Sequence, residues 1–585
     1  MEPTEKSSPT GSALGPYRRW ALLLAAVCLL YFFQLGGMYN VNIGDESNYL
    51  QLARVTALQP GWLPLSTDEG PWSTKPPLLF WQGIVSVKLL GESLFGYRLV
   101  SVLYSLATAG LVARFVFREQ RDRTTAIFGA LVFLACFSTF RYGRAYLTNP
   151  PEVFWTFLAF SIVARFDRST RGREFLTWTA LGVILGVITL YRSFALVVPY
   201  CLFLAAWSFH ERDCAVCAFL KRDVPRIVYV ALLGLAIFSL WFALDPNPAE
   251  VWNTFVRGEN AGKVDEHGYL RGLFSGPHSL IGLWTGPLAN TALLALPLLA
   301  LVRLSWKERR RLTLAERLGW TFVLAYLVAF SVPSQRSASY AMSGVPVLAA
   351  LLALRWNELS GAWLRAAAIP LLVVFTLGAV LALRVQTSGV LGFGFPLLLW
   401  PTLVGGAWFA WRALRSAESA RVAIVPLCFA VYLALTLALR PLEGPLGRYD
   451  DAAIAATRGA DLLMPSNHLR KHERYRFLLE PGSVRGYQVH GLDLPPDAVA
   501  AIDEQLANGG IVGVVLPEGA DPARSYSNCM TLGSRLDIRT RHNGEQLRAM
   551  ILRGEMDLLL VREWLIRRAD AAVNESAAPA ERASR

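Results

Sequence analysis

The stretch RRWALLLAAVCLLYFFQLGG, residues 18–37, decides the class of fold: two arginines lead into eighteen residues without a charge. A run of that length crosses the hydrocarbon core of a bilayer as a helix. It is long and lacks a small-x-small cleavage site, so it reads as an uncleaved first span rather than a signal peptide. Residues 1–19 ahead of it are polar, with Pro and Ser, and are expected to be a disordered cytoplasmic tail.

Outward from that run, apolar segments recur at 96–117, 125–140, 151–165, 176–190, 193–209, 227–244, 278–302, 319–332, 340–354, 366–384, 391–411 and 422–439. Together they predict an α-helical polytopic membrane protein with about thirteen transmembrane helices over residues 20–439. Composition agrees: only 17% of the chain is charged and the mean hydropathy is +0.36, against roughly 25% charged residues in a soluble domain.

The net charge of +13 could suggest nucleic acid, but its placement excludes that class. The basic residues gather in short segments between spans: Arg118, Arg121 and Arg123; Arg165, Arg168, Arg171 and Arg173; Arg212, Lys221, Arg222 and Arg226. The pattern repeats from Arg303 through Arg317, at Arg355 and Arg365, and at Arg412, Arg415 and Arg421. By the positive-inside rule these loops are cytoplasmic. An odd span count then puts the opposite loops, 38–95, 141–150, 245–277 and 333–339, on the outer face. The seven cysteines are scattered, and the one C-x-x-C, Cys214 and Cys217, lacks a second ligand pair.

Residues 440–572 change character. Short β-like runs at 461–464, 475–479, 511–516, 536–540 and 558–562 alternate with a helical stretch at 496–508, which predicts a small soluble α/β domain on the outer face. Residues 573–585, rich in Ala, Glu and Ser, are expected to be a disordered tail.

Ionisable groups collect at the outer boundary, where they are functional candidates. Asp45 and Glu46 follow the first span; two adjacent carboxylates there serve as a general base, ligate a divalent cation, or start the helix 47–58 as N-cap residues. Lys75 precedes Pro76 and Pro77, which hold it extended; it suits either lipid headgroups or a phosphate at headgroup depth. Further along lie Arg144, Asn149 and Glu152, then Arg192 between two spans, then Glu259 and Asn260, then Gln335, Arg336 and Tyr340. Several outward arginines with Lys75 describe an anion site, since guanidinium groups pair with phosphate through two parallel bonds. Carboxylates beside such a site describe group transfer from a phosphate leaving group.

In this order, Gly44-Asp45-Glu46-x-x-Tyr49, Lys75-Pro76-Pro77, the Arg192 link, Glu259-Asn260-Ala261-Gly262-Lys263 and Ser331-x-Pro333-Ser334-Gln335-Arg336-x-x-x-Tyr340 resemble the GT-C membrane glycosyltransferases. The nearest branch is that of the bacterial aminoarabinose (lipid A) transferases and protein mannosyltransferases, over roughly residues 20–350. The resemblance implies the GT-C fold and a polyprenyl-phosphate (undecaprenyl-phosphate) sugar donor. It implies an acceptor that is a membrane lipid such as lipid A, a glycan or a protein, and a place in the bacterial inner membrane with the site on the periplasmic face. It implies catalysis by Asp45 with Glu46 beside it, and donor-phosphate binding by Lys75, Arg192, Arg336 and Tyr340. Weaker substrate contacts fall to Tyr49, Arg144, Asn149, Glu152, Glu259, Asn260 and Gln335, and a divalent metal cation would be held by Asp45. The chain departs from the family at Asn149, where an Asp is usual, at Thr74, where a Glu is frequent, and at Tyr191-Arg192-Ser193 in place of T-K-G. A transporter or flippase for a lipid-linked sugar is the alternative class; it would place its key charges near mid-membrane and often shows repeat symmetry.

Overall fold

The structure is a computed structural model; it describes residues 15–38, 44–165, 171–260, 273–274, 276, 278–389, 395–466, 470–489, 494–517, 519–538 and 543–569. Residues 1–14 of the predicted N-terminal tail, the predicted C-terminal tail, the loop residues 261–272 and the start of the predicted span 391–411 lie outside the described residues. Pro16–Arg19, expected to be disordered, instead form the first turn of a helix with proline at its start.

The first helices in chain order are α1 (Pro16–Phe32), α2 (Gly44–Ala57), α3 (Leu78–Leu90), α4 (Leu94–Gln120), α5 (Arg123–Ala135), α6 (Phe137–Tyr142), α7 (Asn149–Val163), α8 (Arg171–Tyr191) and α9 (Val197–Glu211). Among the described residues nine helices are long and apolar enough to cross a membrane, from Leu94–Gln120 to Ala417–Ala438. The remaining predicted positions hold shorter helices: α1 with 17 residues, α5 with 13, α7 with 15 and Leu399–Arg415 with 17. Helix length alone therefore does not establish the count of thirteen, but the chain is a multi-pass membrane protein.

Local chemistry sets the elements that carry the site. In α2 both Asp45 and Glu46 sit in the first turn, where the helix dipole favours negative charge. At the start of α7, Asn149 is followed by Pro150 and Pro151; proline costs nothing in a first turn, whose N–H groups lack helical partners. Between α2 and α3 a two-residue hairpin, β1 (Ser66–Thr67) with β2 (Gly70–Pro71), leads to Lys75.

A large apolar core fills most of the helical bundle. A second, smaller core lies beneath α2 and α3 and includes Tyr49, Leu52, Leu79, Phe80, Tyr97 and Tyr146. Gly83 makes this close packing possible, because a Cβ there would run into the Tyr146 hydroxyl, which donates to the Leu79 carbonyl at 2.8 Å.

After the last long helix the chain builds a five-stranded sheet in the order β4-β3-β5-β7-β6, from β3 (Asp461–Ser466), β4 (Ser483–Gln488), β5 (Ile511–Pro517), β6 (Cys529–Ile538) and β7 (Leu560–Arg568). β3 pairs parallel with β4 and β5, while β7 runs antiparallel to β5 and β6. The expected strand at 475–479 is instead part of a 3₁₀ segment, Lys471–Phe477. Its residues alternate in the sequence, but Tyr475 is buried in the soluble domain while Phe477 packs onto the core beneath α2. β4 escaped the sequence reading because only Val484 and Tyr487 are buried along it, so alternation is absent.

Candidate active site

A cavity of about 930 Å³ opens at the end of the bundle that carries the soluble domain. Its wall gathers residues far apart in the chain: Asp45 and Tyr49 of α2, Lys75 after the hairpin, Thr148 and Asn149 at the head of α7, Arg192 between α8 and α9, Asn260, and Gln335 with Tyr340. The rest of the wall is largely apolar, with Val197, Val198, Leu235, Ala329 and Phe330. A cavity with a polar rim and an apolar body suits a ligand with a charged head and a hydrocarbon tail.

Asp45 is exposed to this space. Tyr49, one turn further on, feels it: burial first, and then the Asp45 carboxylate, raise the Tyr49 phenol well above its usual range. Lys75 lies 3.5 Å from Glu259, both partly exposed. Arg192 is braced from beneath by the buried Glu152 carboxylate and lies over the Tyr340 ring at 5.4 Å. Glu152 in turn accepts from the Ser343 hydroxyl at 2.7 Å. Asn260 accepts from the Ser193 hydroxyl at 2.7 Å and donates to the Phe255 carbonyl at 2.7 Å. Asn149 donates to the Met342 sulfur at 3.5 Å.

Four expected site residues sit elsewhere. Glu46, 4% exposed, faces away from the cavity. It takes two bonds from Arg98, at 2.7 and 2.8 Å, and one from the Tyr146 N–H at 2.8 Å. Successive helical residues diverge by about 100°, so Asp45 and Glu46 point in different directions, and the Glu46 carboxylate is engaged by Arg98 and the Tyr146 N–H. Arg336, 1% exposed, donates to the carbonyls of Ser331 at 2.9 Å and His278 at 3.4 Å, and its own carbonyl contacts the His278 ring at 2.9 Å. It fastens the turn that presents Gln335 and Tyr340 and does not line the cavity. Arg144 is fully buried, donating to the carbonyls of Tyr31 and Phe33 over the Phe140 ring. Glu152 reaches the cavity only through Arg192.

The sequence reading passed over Arg98, whose signal was an arginine inside an apolar span. Besides gripping Glu46, it donates to the carbonyls of Leu35 at 2.9 Å and Gly37 at 2.6 Å. One buried guanidinium thus joins the end of the first helical region, the head of α2 and, through Glu46, the link that leads to Asn149.

Comparison with known proteins finds similarity to membrane glycosyltransferases. Residues 19–255 match the family described as dolichyl-phosphate-mannose-protein mannosyltransferase. An undecaprenyl phosphate-alpha-4-amino-4-deoxy-L-arabinose arabinosyl transferase of Pseudomonas paraeruginosa is 28% identical over 513 residues, which cover 81% of this chain and 85% of that one. The same-named protein of Erwinia tasmaniensis is 23% identical, over 63% of this chain and 65% of its own length. The solved structure of ArnT from Cupriavidus metallidurans bound to undecaprenyl phosphate superposes with a TM-score of 0.58 at 16% identity, covering 93% of this chain and 98% of that one. By its mannosyltransferase-family segment and by its similarity to the aminoarabinose transferases over most of its length, the chain resembles the GT-C membrane glycosyltransferases, whose fold it shares.

Proposed function

We propose that this protein transfers a sugar from a polyprenyl-phosphate donor to a hydroxyl of an acceptor, a lipid, glycan or protein, at the periplasmic face of a bacterial inner membrane. The observation that carries the reading is the cavity itself, in which one carboxylate, Asp45, shares a space with two cations, Lys75 and Arg192. The relatives' names supply the donor class, and the solved neighbour carries undecaprenyl phosphate. The orientation is supported by the basic loops, which the positive-inside rule assigns to the opposite face.

In this scheme Asp45 takes the proton of the acceptor hydroxyl, whose oxygen attacks the anomeric carbon. The bond from that carbon to the phosphate oxygen breaks, and polyprenyl phosphate leaves with the electron pair. Lys75 and Arg192 stabilise the departing charge, which is where fixed cations contribute most to catalysis. Tyr340 keeps Arg192 aimed, and a direct displacement inverts the anomeric centre. Among the described residues no group of three or more His, Cys, Asp or Glu side chains converges to hold a metal. A divalent cation in the cavity would be held by Asp45, a carboxylate of its wall, and would supply further neutralisation of phosphate charge.

Loss of Lys75 tests the donor side. Lys75→Ala is expected to raise the KM for a polyprenyl-phosphoryl sugar by about 10- to 100-fold, the cost of a charge-assisted bond to phosphate. Purified protein in liposomes with labelled donor reads this directly. An unchanged KM would remove Lys75 from the donor site.

A further inference from the structure

The soluble domain touches the membrane domain through the 3₁₀ segment Lys471–Phe477 and the residue before it, Arg470. These contacts fall on the two pieces of chain that carry Asp45 and Lys75. Arg470 donates to the Asn48 side chain at 2.8 Å, one turn beyond Asp45 on α2, and to Glu69 at 2.7 Å, at the tip of the hairpin that leads to Lys75. Glu473, fully buried, accepts from the Arg54 Nε at 2.5 Å; Arg54 also reaches Asp68 at 3.1 Å on the same tip. Gln51, between Asn48 and Arg54 on that helix face, donates to Asp68 at 3.0 Å and to Glu473 at 3.3 Å. The Phe477 ring packs edge-on against Tyr97 in the core beneath α2.

The hairpin itself is held by few bonds. Each strand has two residues, and its other tie to α2 is the Ser66 N–H to the Thr56 hydroxyl at 3.0 Å. A short hairpin with so little ladder is unstable alone; of the two carboxylates at its tip, Asp68 is tied to α2 by Arg54 and Gln51, while Glu69 is held by Arg470 of the soluble domain. Beyond the hairpin, the Trp72 N–H to Leu65 carbonyl bond at 2.7 Å transmits its position towards Lys75.

We infer that Arg470 and Glu473 of the soluble domain are positioning residues for the transfer reaction, clipping the helix that bears Asp45 to the hairpin that delivers Lys75. The soluble domain then acts as part of the catalytic frame. This rests on the roles given above to Asp45 and Lys75. Asp45 tolerates displacement less well than Lys75, because a short side chain on a helix cannot follow a shifted substrate, whereas a lysine stem can. Loosening the clip therefore lowers kcat before it weakens donor binding.

Full-length Arg470→Ala and Glu473→Gln proteins in liposomes test this through two readings. Hydrogen–deuterium exchange over residues 44–75 is expected to quicken by roughly tenfold, while spans remote from the contact keep their protection. Transfer is expected to lose roughly 10- to 100-fold in kcat, the usual consequence of misplacing a reacting group by about 1 Å, with donor KM near wild type. Arg470→Lys should not rescue, since one ammonium cannot reproduce the fork that spans Asn48 and Glu69. Wild-type exchange over 44–75, or wild-type kcat despite faster exchange, overturns the inference. An Asp45→Asn protein run alongside separates the two layers: if it retains full transfer, the chemical assignment fails while the exchange result still reports on the clip.

Discussion

Asp45→Asn protein is expected to accumulate in the membrane at the wild-type level, to bind donor, and to transfer sugar about 10²- to 10⁴-fold more slowly, the range lost when a general base is removed. Asn keeps the shape of the side chain and one oxygen acceptor but cannot take a proton at neutral pH. The structural cost is small. Asp45 is exposed to the cavity and sits in the first turn of α2, where its charge contributes a few tenths to about 1 kcal/mol through the helix dipole. Activity and stability should therefore separate: initial rates fall with an unchanged melting temperature. A substitution that slowed transfer less than about tenfold would show that another group takes the proton.

The neighbouring carboxylate behaves in the opposite way. Arg98→Ala leaves Glu46 charged and buried without its counterion, and breaking such a pair from one side costs about 3–5 kcal/mol. Two further carbonyls, of Leu35 and Gly37, lose their donor in the same step. The expected outcome is low abundance in the membrane and a clear drop in melting temperature in detergent. An apolar pair does not repair the site, although such replacements often succeed elsewhere. In Glu46→Leu with Arg98→Met the Tyr146 N–H and the two carbonyls stay buried without partners, each costing about 1–3 kcal/mol. The double variant should therefore melt well below wild type; melting equal to wild type would show that the hub is not a structural tie.

The contrast between Asp45 and Glu46 marks what was legible in the sequence. Lipid as the solvent, the helical class and a terminal sheet domain could all be read from apolar runs and from where the runs stop. The position of Asp45, Lys75 and Arg192 at one boundary could be read too, because charge beside a span is expensive and therefore visible. Direction could not. Glu46, Arg144 and Arg336 lie at the same depth by sequence, yet each turns inward to satisfy buried carbonyls or a buried guanidinium. Whether a charged side chain faces a cavity or a core depends on a rotation of about 100° per residue and on partners such as Arg98 and His278 from distant segments.

The soluble domain shows the same boundary. Residues 475–479 read as a strand, but they overlap the 3₁₀ segment Lys471–Phe477, whose side chains serve two domains at once, so neither periodicity applies. Nothing in residues 470–477 alone points to Asn48, Arg54 or Glu69, some four hundred positions away. Only the fold brings them together.

The central claim is that this cavity breaks the bond between sugar and polyprenyl phosphate. The most direct measurement uses purified wild-type protein in liposomes containing a polyprenyl-phosphoryl sugar labelled in the sugar, with acceptor supplied on the face of the soluble domain. Products are separated and the anomeric configuration of the transferred sugar is assigned. The account predicts one polyprenyl phosphate released for each sugar transferred, with the anomeric centre inverted and both events lost in Asp45→Asn. Intact donor appearing in the opposite leaflet, with sugar and phosphate still joined, would contradict it.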